Sequence, residues 1–94
     1  MATVYILYST KIDRFYTGSC KTLEERLLQH SNKEFSDSYT SRADDWILFF
    51  HLDGLSHNTA LKIENHIKKM KSKIYIQNLK KYPDISKNLI LKYS

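Results

Sequence analysis

The sequence predicts a single small α+β domain over residues 1–94, with a three-stranded antiparallel sheet flanked by helices. Runs of β-branched and aromatic residues in the first half of the chain are typical of strands, whereas the second half has apolar residues at helical spacing. A repeating βα unit would indicate a parallel sheet, but strands and helices do not alternate in this way along the chain. The predicted order is therefore ββαβαα followed by a short C-terminal helix.

Three strands are predicted within the first 52 residues. Residues 4–8 are apolar or aromatic at nearly every position, which is typical of a central strand buried on both faces. A short polar connection precedes the second strand at residues 15–18, so the two form an antiparallel hairpin. The third strand covers residues 46–52, and Asp53-Gly54 predicts a turn after it.

The first helix is predicted to begin at Thr22. This residue stands three positions before Glu25, which is the spacing of a capping box. Within this helix Arg26 and His30 are four residues apart and therefore share a face. Residues 31–45 are polar and are predicted to form a loop.

The C-terminal part of the chain is predicted to be helical. One helix runs from about residue 58 to 71, Ser72 serves as a break or N-cap, and the next helix covers about 73–81. Ser86 is predicted to cap a last short helix. The apolar stripe of the first of these three helices is made by four residues, Ala60, Ile63, Ile67 and Met70.

The charge of the chain is concentrated at one end. Residues 1–60 carry a net −2, whereas residues 61–94 carry nine Lys and two acidic residues, a net +7. This excess fits either a polyanionic partner or a solvated lysine-rich surface. The single cysteine, Cys20, excludes an intramolecular disulfide. No signal peptide and no membrane-spanning stretch are visible, so we expect a cytoplasmic protein that does not bind membranes.

Glu64 is the most informative single residue, because it interrupts an apolar helical stripe. A carboxylate buried there without a partner would be costly. It therefore requires a cation, which could be Arg26, a lysine or a metal ion.

In their order and spacing, these features resemble the GIY-YIG nuclease superfamily, in particular small single-domain members similar to the N-terminal nuclease domain of the bacterial excinuclease. The resemblance covers about residues 3–80. Its motifs are Val4-Tyr5-Ile6, Phe15-Tyr16-Thr17-Gly18, Lys21 to Arg26 with His30, Ala60 to Glu64, and the Lys-Lys-Met-Lys-Ser run at 68–72. The first motif lacks its glycine, since it reads Thr3-Val4-Tyr5, and the second has Thr17 in place of isoleucine. Both motif tyrosines are in place.

The resemblance implies a divalent-metal-dependent endonuclease that hydrolyses DNA phosphodiester bonds, in DNA repair or recombination. It implies four catalytic residues, Tyr5, Tyr16, Arg26 and His30. Glu64 would be the carboxylate that binds a single Mg²⁺ or Mn²⁺, which keeps several waters and takes further ligands from the phosphate. Several family enzymes carry an asparagine after the helix with the metal-binding glutamate. Asn78 is the candidate for this residue, on the basis of its order along the chain only. DNA phosphates would contact Lys21, Lys68, Lys69 and Lys71.

Two other interpretations are compatible with the same residues. The chain could be a non-catalytic nucleic-acid-binding module that keeps the fold and the basic face. Alternatively, Arg26 and Glu64 could form a purely structural salt bridge. For an active enzyme, 94 residues leave no room for a separate targeting domain, so specificity is expected to come from a homodimer or a partner protein.

Overall fold

The structure, a computed structural model, describes residues 1–24 and 45–94. Strands β1 (Ala2–Ser9), β2 (Arg14–Cys20) and β3 (Ile47–Leu55) form one sheet with the order β2-β1-β3. Both neighbouring pairs are antiparallel. The predicted three-stranded antiparallel sheet, with the first strand in its centre, is confirmed.

Three helices follow the sheet in the chain. They are α1 (His57–Met70), α2 (Lys73–Lys81) and α3 (Pro83–Tyr93). Ser56 caps α1 and Ser72 caps α2, each by accepting a hydrogen bond from a backbone N–H of the first turn. Ser72 is thus the N-cap that the sequence predicted. No helix in residues 1–24 or 45–94 combines the length and apolarity needed to cross a bilayer.

The two faces of β1 lead to two separate apolar clusters, because successive side chains of a strand point to opposite sides. Val4 and Ile6 pack with residues of all three helices, and this main core includes the fully buried Ile63 of α1. Tyr5 and Leu7 lie on the other face, where they pack with the buried Cys20 and with three partly buried residues, Tyr16, Leu23 and Trp46. Burial on both faces explains the continuous apolarity of this strand.

The end of β3 differs from the predicted turn at Asp53-Gly54. The strand continues through both residues to Leu55, which pairs with Ala2 and is 5% exposed. Gly54 has a φ of 69°, a left-handed conformation that glycine adopts without a steric penalty. Burial of Leu55 in the core accounts for the longer strand, because a turn at Asp53 would remove that side chain from the sheet.

Two other details of the helices differ from the sequence prediction. Helix α3 begins at Pro83 rather than Ser86, because the fixed φ of proline suits the first position of a helix. Ser86 lies inside the helix, where its hydroxyl donates to the Pro83 carbonyl. Met70 does not complete the buried stripe of α1, since it is 45% exposed at the last residue of that helix.

The helix predicted to begin at Thr22 falls mostly outside the described residues. Leu23 and Glu24 are helical, and the prediction for residues 25–30 lies beyond them. Arg26 and His30 are among those residues, so their predicted roles stay predictions.

Candidate active site

Tyr5 and Gly18 face each other across the β1–β2 pair at the edge of the sheet. The Tyr5 side chain is almost fully buried, and its phenol lies over Gly18. A Cβ placed on Gly18 would be 2.6 Å from the Tyr5 hydroxyl oxygen and 2.8 Å from its Cζ. The absence of a side chain at position 18 is therefore what allows the Tyr5 hydroxyl to reach the edge strand.

Tyr16 lies two residues before Gly18 on the same face of β2. Its ring centroid is 6.3 Å from that of Tyr5, with the two ring planes tilted by 44°. This separation lies within the range of about 4.5–7 Å that favourable aromatic pairs adopt. The structure thus brings together the two tyrosines that the family resemblance assigned to one site.

Glu64 projects from α1 towards β2, and its side chain is 14% exposed. The Ser19 hydroxyl donates a hydrogen bond of 2.6 Å to Oε1, and Lys68 Nζ donates one of 2.7 Å to Oε2. Each carboxylate oxygen therefore has a partner among residues 1–24 and 45–94. The sequence allowed Arg26, a lysine or a metal ion as the cation beside Glu64. Among the described residues, the cation that contacts Glu64 is Lys68, one helical turn away.

Lys68 connects Glu64 with the tyrosine pair. Its Nζ lies 5.9 Å from the centroid of the Tyr16 ring, a distance at which a cation is attracted by the aromatic face. The same lysine borders a shallow, mainly apolar groove of about 350 Å³, whose lining residues are Phe15, Tyr16, Thr17, Ile67, Lys68 and Ile76. Lys68 and Tyr16 therefore form a polar rim of this groove, and Glu64 is joined to that rim by its hydrogen bond with Lys68.

The other basic residues predicted to bind nucleic acid are on the surface. Lys21 is exposed immediately after β2, and Lys69 is exposed in the last turn of α1. Lys71 is also exposed and ends α1 in a left-handed conformation, with a φ of 47°. These positions leave their ammonium groups accessible to a polyanion.

Asn78 is half-buried on α2. Its backbone carbonyl accepts a hydrogen bond of 2.7 Å from the Tyr82 N–H, which helps to end that helix. This contact involves only the backbone of Asn78, and the participation of its side chain in the site stays a prediction.

Sequence reasoning did not single out Ser19, although Ser19 holds Glu64. The strand alternation contains the necessary information, because the side chain after Gly18 must point to the opposite face of β2, where α1 packs. The Glu64–Lys68 pair was also readable from its i,i+4 spacing. What the sequence could not give was the position of α1 against β2.

Comparison with known proteins adds one result. The family model described as GIY-YIG catalytic domain matches residues 1–82. Neither the curated proteins nor the solved structures gave a match. The matched range includes all three strands, helices α1 and α2, both motif tyrosines and Glu64. With its three-stranded antiparallel sheet and adjoining helices, the chain has a nuclease-type fold and belongs to the GIY-YIG family.

Proposed function

We propose that the chain is a divalent-metal-dependent endonuclease that hydrolyses phosphodiester bonds of DNA. The observation that carries this proposal is the position of Glu64, a largely buried carboxylate held at the sheet edge by Ser19 and connected through Lys68 to Tyr16. A hydrolytic site for phosphodiesters needs an activated water and neutralisation of charge on the phosphoryl oxygens.

The donor set supports a single Mg²⁺ or Mn²⁺. Glu64 offers a carboxylate and Ser19 a hydroxyl, which are hard oxygen donors of the kind that Mg²⁺ prefers. Within residues 1–24 and 45–94, no three His, Cys, Asp or Glu side chains gather into a metal-binding group. One carboxylate is sufficient, because Mg²⁺ takes most of its other ligands from water and from substrate phosphates. When bound, this ion would supply Lewis acidity to the phosphate and lower the pKa of a coordinated water.

Residues beside β2, on the face that contacts Glu64 and on the opposite face, would orient the scissile phosphate. Tyr16, at the rim of the groove, would donate a hydrogen bond from its hydroxyl to a phosphate oxygen. Tyr5, held over Gly18, would orient the attacking water, and in its phenolate form it would accept a proton from that water. Arg26 and His30 are implied by the family resemblance as the phosphate-binding cation and the proton relay.

The exposed lysines give this site its attraction for DNA. Lys21, Lys69 and Lys71 extend the positive charge beyond the rim, and contacts of this kind bind the backbone without reading its sequence. We therefore propose a weakly specific enzyme, which depends on a second copy or on a partner protein for targeting. DNA repair or recombination on branched, damaged or single-stranded DNA is the setting that the family resemblance favours.

A cleavage assay tests the proposal. Labelled duplex, single-stranded and branched DNA are incubated with the protein in Mn²⁺, Mg²⁺ or EDTA, beside Glu64→Gln and the control Asp84→Asn, an exposed carboxylate on α3. We expect cleavage that needs the ion, and a loss of at least about 100-fold in Glu64→Gln, in the range found when one group that stabilises transition-state charge is removed. Asp84→Asn is expected to cleave normally.

Equal cleavage by the Glu64→Gln protein would overturn the metal-nuclease proposal. Tight DNA binding by the unaltered protein, with no cleavage of any substrate in either metal, would instead favour the non-catalytic binding module.

A further inference from the structure

Lys68 is hydrogen-bonded to the carboxylate of Glu64, which is the group that the proposed function assigns to the metal. Its ammonium group is 2.7 Å from Oε2 of Glu64, and the other oxygen receives the Ser19 hydroxyl at 2.6 Å. A divalent cation bound to Oε2 would lie about 2.1 Å from that atom. With Lys68 in its present position, two cations would then be neighbours at one oxygen, which is electrostatically unfavourable.

Lys68 is exposed enough to move away from Glu64, and the Tyr16 ring and the open groove lie beside it. Its side chain is 48% exposed, in contrast to the 14% of Glu64, so water can replace its hydrogen bond. The four-carbon stem of lysine is flexible, and the Tyr16 ring lies 5.9 Å from Nζ beside an open groove. When Lys68 leaves, solvent can hydrate its ammonium group, so the lysine side of this i,i+4 pair can separate from Glu64.

We propose that Lys68 is an internal counter-ion for Glu64, which competes with the divalent cation in the DNA-free protein and keeps its affinity for that cation low. This inference rests on the proposed function, because it takes Glu64 as the metal ligand. Lys68 acts through Glu64 and is therefore a positioning residue. Lys68 stabilises the largely buried carboxylate in the absence of metal. It opposes metal binding because its ammonium group is bound to Oε2 and because its positive charge repels the divalent cation.

The test measures Mn²⁺ affinity in the absence of DNA, by isothermal titration calorimetry and by the electron paramagnetic resonance signal of free Mn²⁺. Lys68→Met removes the competing ammonium group and keeps a long side chain over Tyr16. Lys68→Arg keeps the charge. Lys62→Met removes an exposed charge from the same helix two residues before Glu64, and so controls for the general change in charge.

We expect Mn²⁺ to bind Lys68→Met at least about fivefold more tightly than the unaltered protein, from the loss of a nearby positive charge. Lys68→Arg and Lys62→Met should remain within about twofold. Melting curves of all variants establish that they are folded. Lys68→Gln, which also removes the charge, tests the same position if Lys68→Met does not fold.

The possible failures are distinguishable. If Glu64→Gln binds Mn²⁺ as well as the unaltered protein does, Glu64 is not the ligand and the proposed metal site is wrong. If Glu64→Gln loses Mn²⁺ while Lys68→Met binds it equally or more weakly, the metal site stands and the counter-ion role is overturned, because Lys68 then does not compete with the ion.

Discussion

The Tyr5 hydroxyl reaches the edge of the sheet by crossing Gly18, its register partner on β2. This contact gives a physical reason for the glycine of the second motif. In the middle of a strand glycine is normally unfavourable, by roughly 0.5–1 kcal/mol relative to alanine. At position 18 glycine is nevertheless required, because the Cβ of any other residue would collide with the buried phenol of Tyr5.

Gly18→Ala is therefore expected to destabilise the protein, although the same change at an ordinary strand position would stabilise it. The new Cβ would meet the Tyr5 hydroxyl at 2.6 Å, and overpacking of this kind costs about 1–3 kcal/mol. Urea denaturation followed by circular dichroism measures the change in the free energy of unfolding. Combining Gly18→Ala with Tyr5→Phe removes the closest atom and should recover part of the loss. A double variant no more stable than Gly18→Ala alone would contradict the steric explanation.

Ser19→Ala is expected to lower the free energy of unfolding by about 1–2 kcal/mol, because it removes a hydrogen bond to a charged and largely buried carboxylate. Ser19→Thr keeps the hydroxyl at a strand position that favours β-branched residues, and it should retain most of the stability. Urea denaturation of both variants measures the two free energies of unfolding and compares them with that of the unaltered protein. Equal losses in the two variants would mean that packing at position 19, rather than the hydroxyl, stabilises the contact with α1.

Stability at low pH should depend on Asp45. The Ser9 hydroxyl, the Lys11 backbone N–H and the Thr10 hydroxyl donate to this carboxylate and lower its pKa from 3.8 to about 2. Because the pKa is lower in the folded state, the stabilisation is complete above about pH 4 and is lost as the pH falls through 2.

Asp45→Asn should therefore be less stable than the unaltered protein at pH 7, and the difference should shrink between about pH 4 and pH 2. Urea midpoints measured across this range test the prediction, with Asp84→Asn as the control for a general loss of one acidic group. A difference that is constant from pH 7 to pH 2 would show that Asp45 is not the titrating group.

DNA binding without metal should improve in Glu64→Gln. In the unaltered protein Glu64 holds Lys68, and the glutamine variant releases this lysine to contact phosphate. We expect tighter binding in EDTA, with a slope of log affinity against log salt that is steeper by about one unit. Lys69→Met should have the opposite effect on both quantities. Fluorescence anisotropy with a labelled duplex at several salt concentrations measures them, and weaker binding by Glu64→Gln would contradict the prediction.

The parts of the fold that the sequence predicted correctly are those set by local pattern. The continuous apolarity of residues 4–8 indicated a central strand, and the position of Ser72 indicated the start of α2. The errors arose where tertiary burial overrides local preference. Asp53-Gly54 has the composition of a turn, but Leu55 beyond it is buried against the core and keeps the strand extended.

For the candidate site, the sequence by itself determined which groups were available. A carboxylate within an apolar helical stripe, and its need for a cation, were visible from spacing, whereas the two motif tyrosines were identified by the family resemblance. The tertiary structure decided which groups meet. Packing of α1 against the edge strand brings Ser19 and Glu64 together from 45 residues apart, and the register of β1 with β2 places Tyr5 over Gly18. Such contacts depend on how elements dock, a property of the whole chain that no local pattern contains.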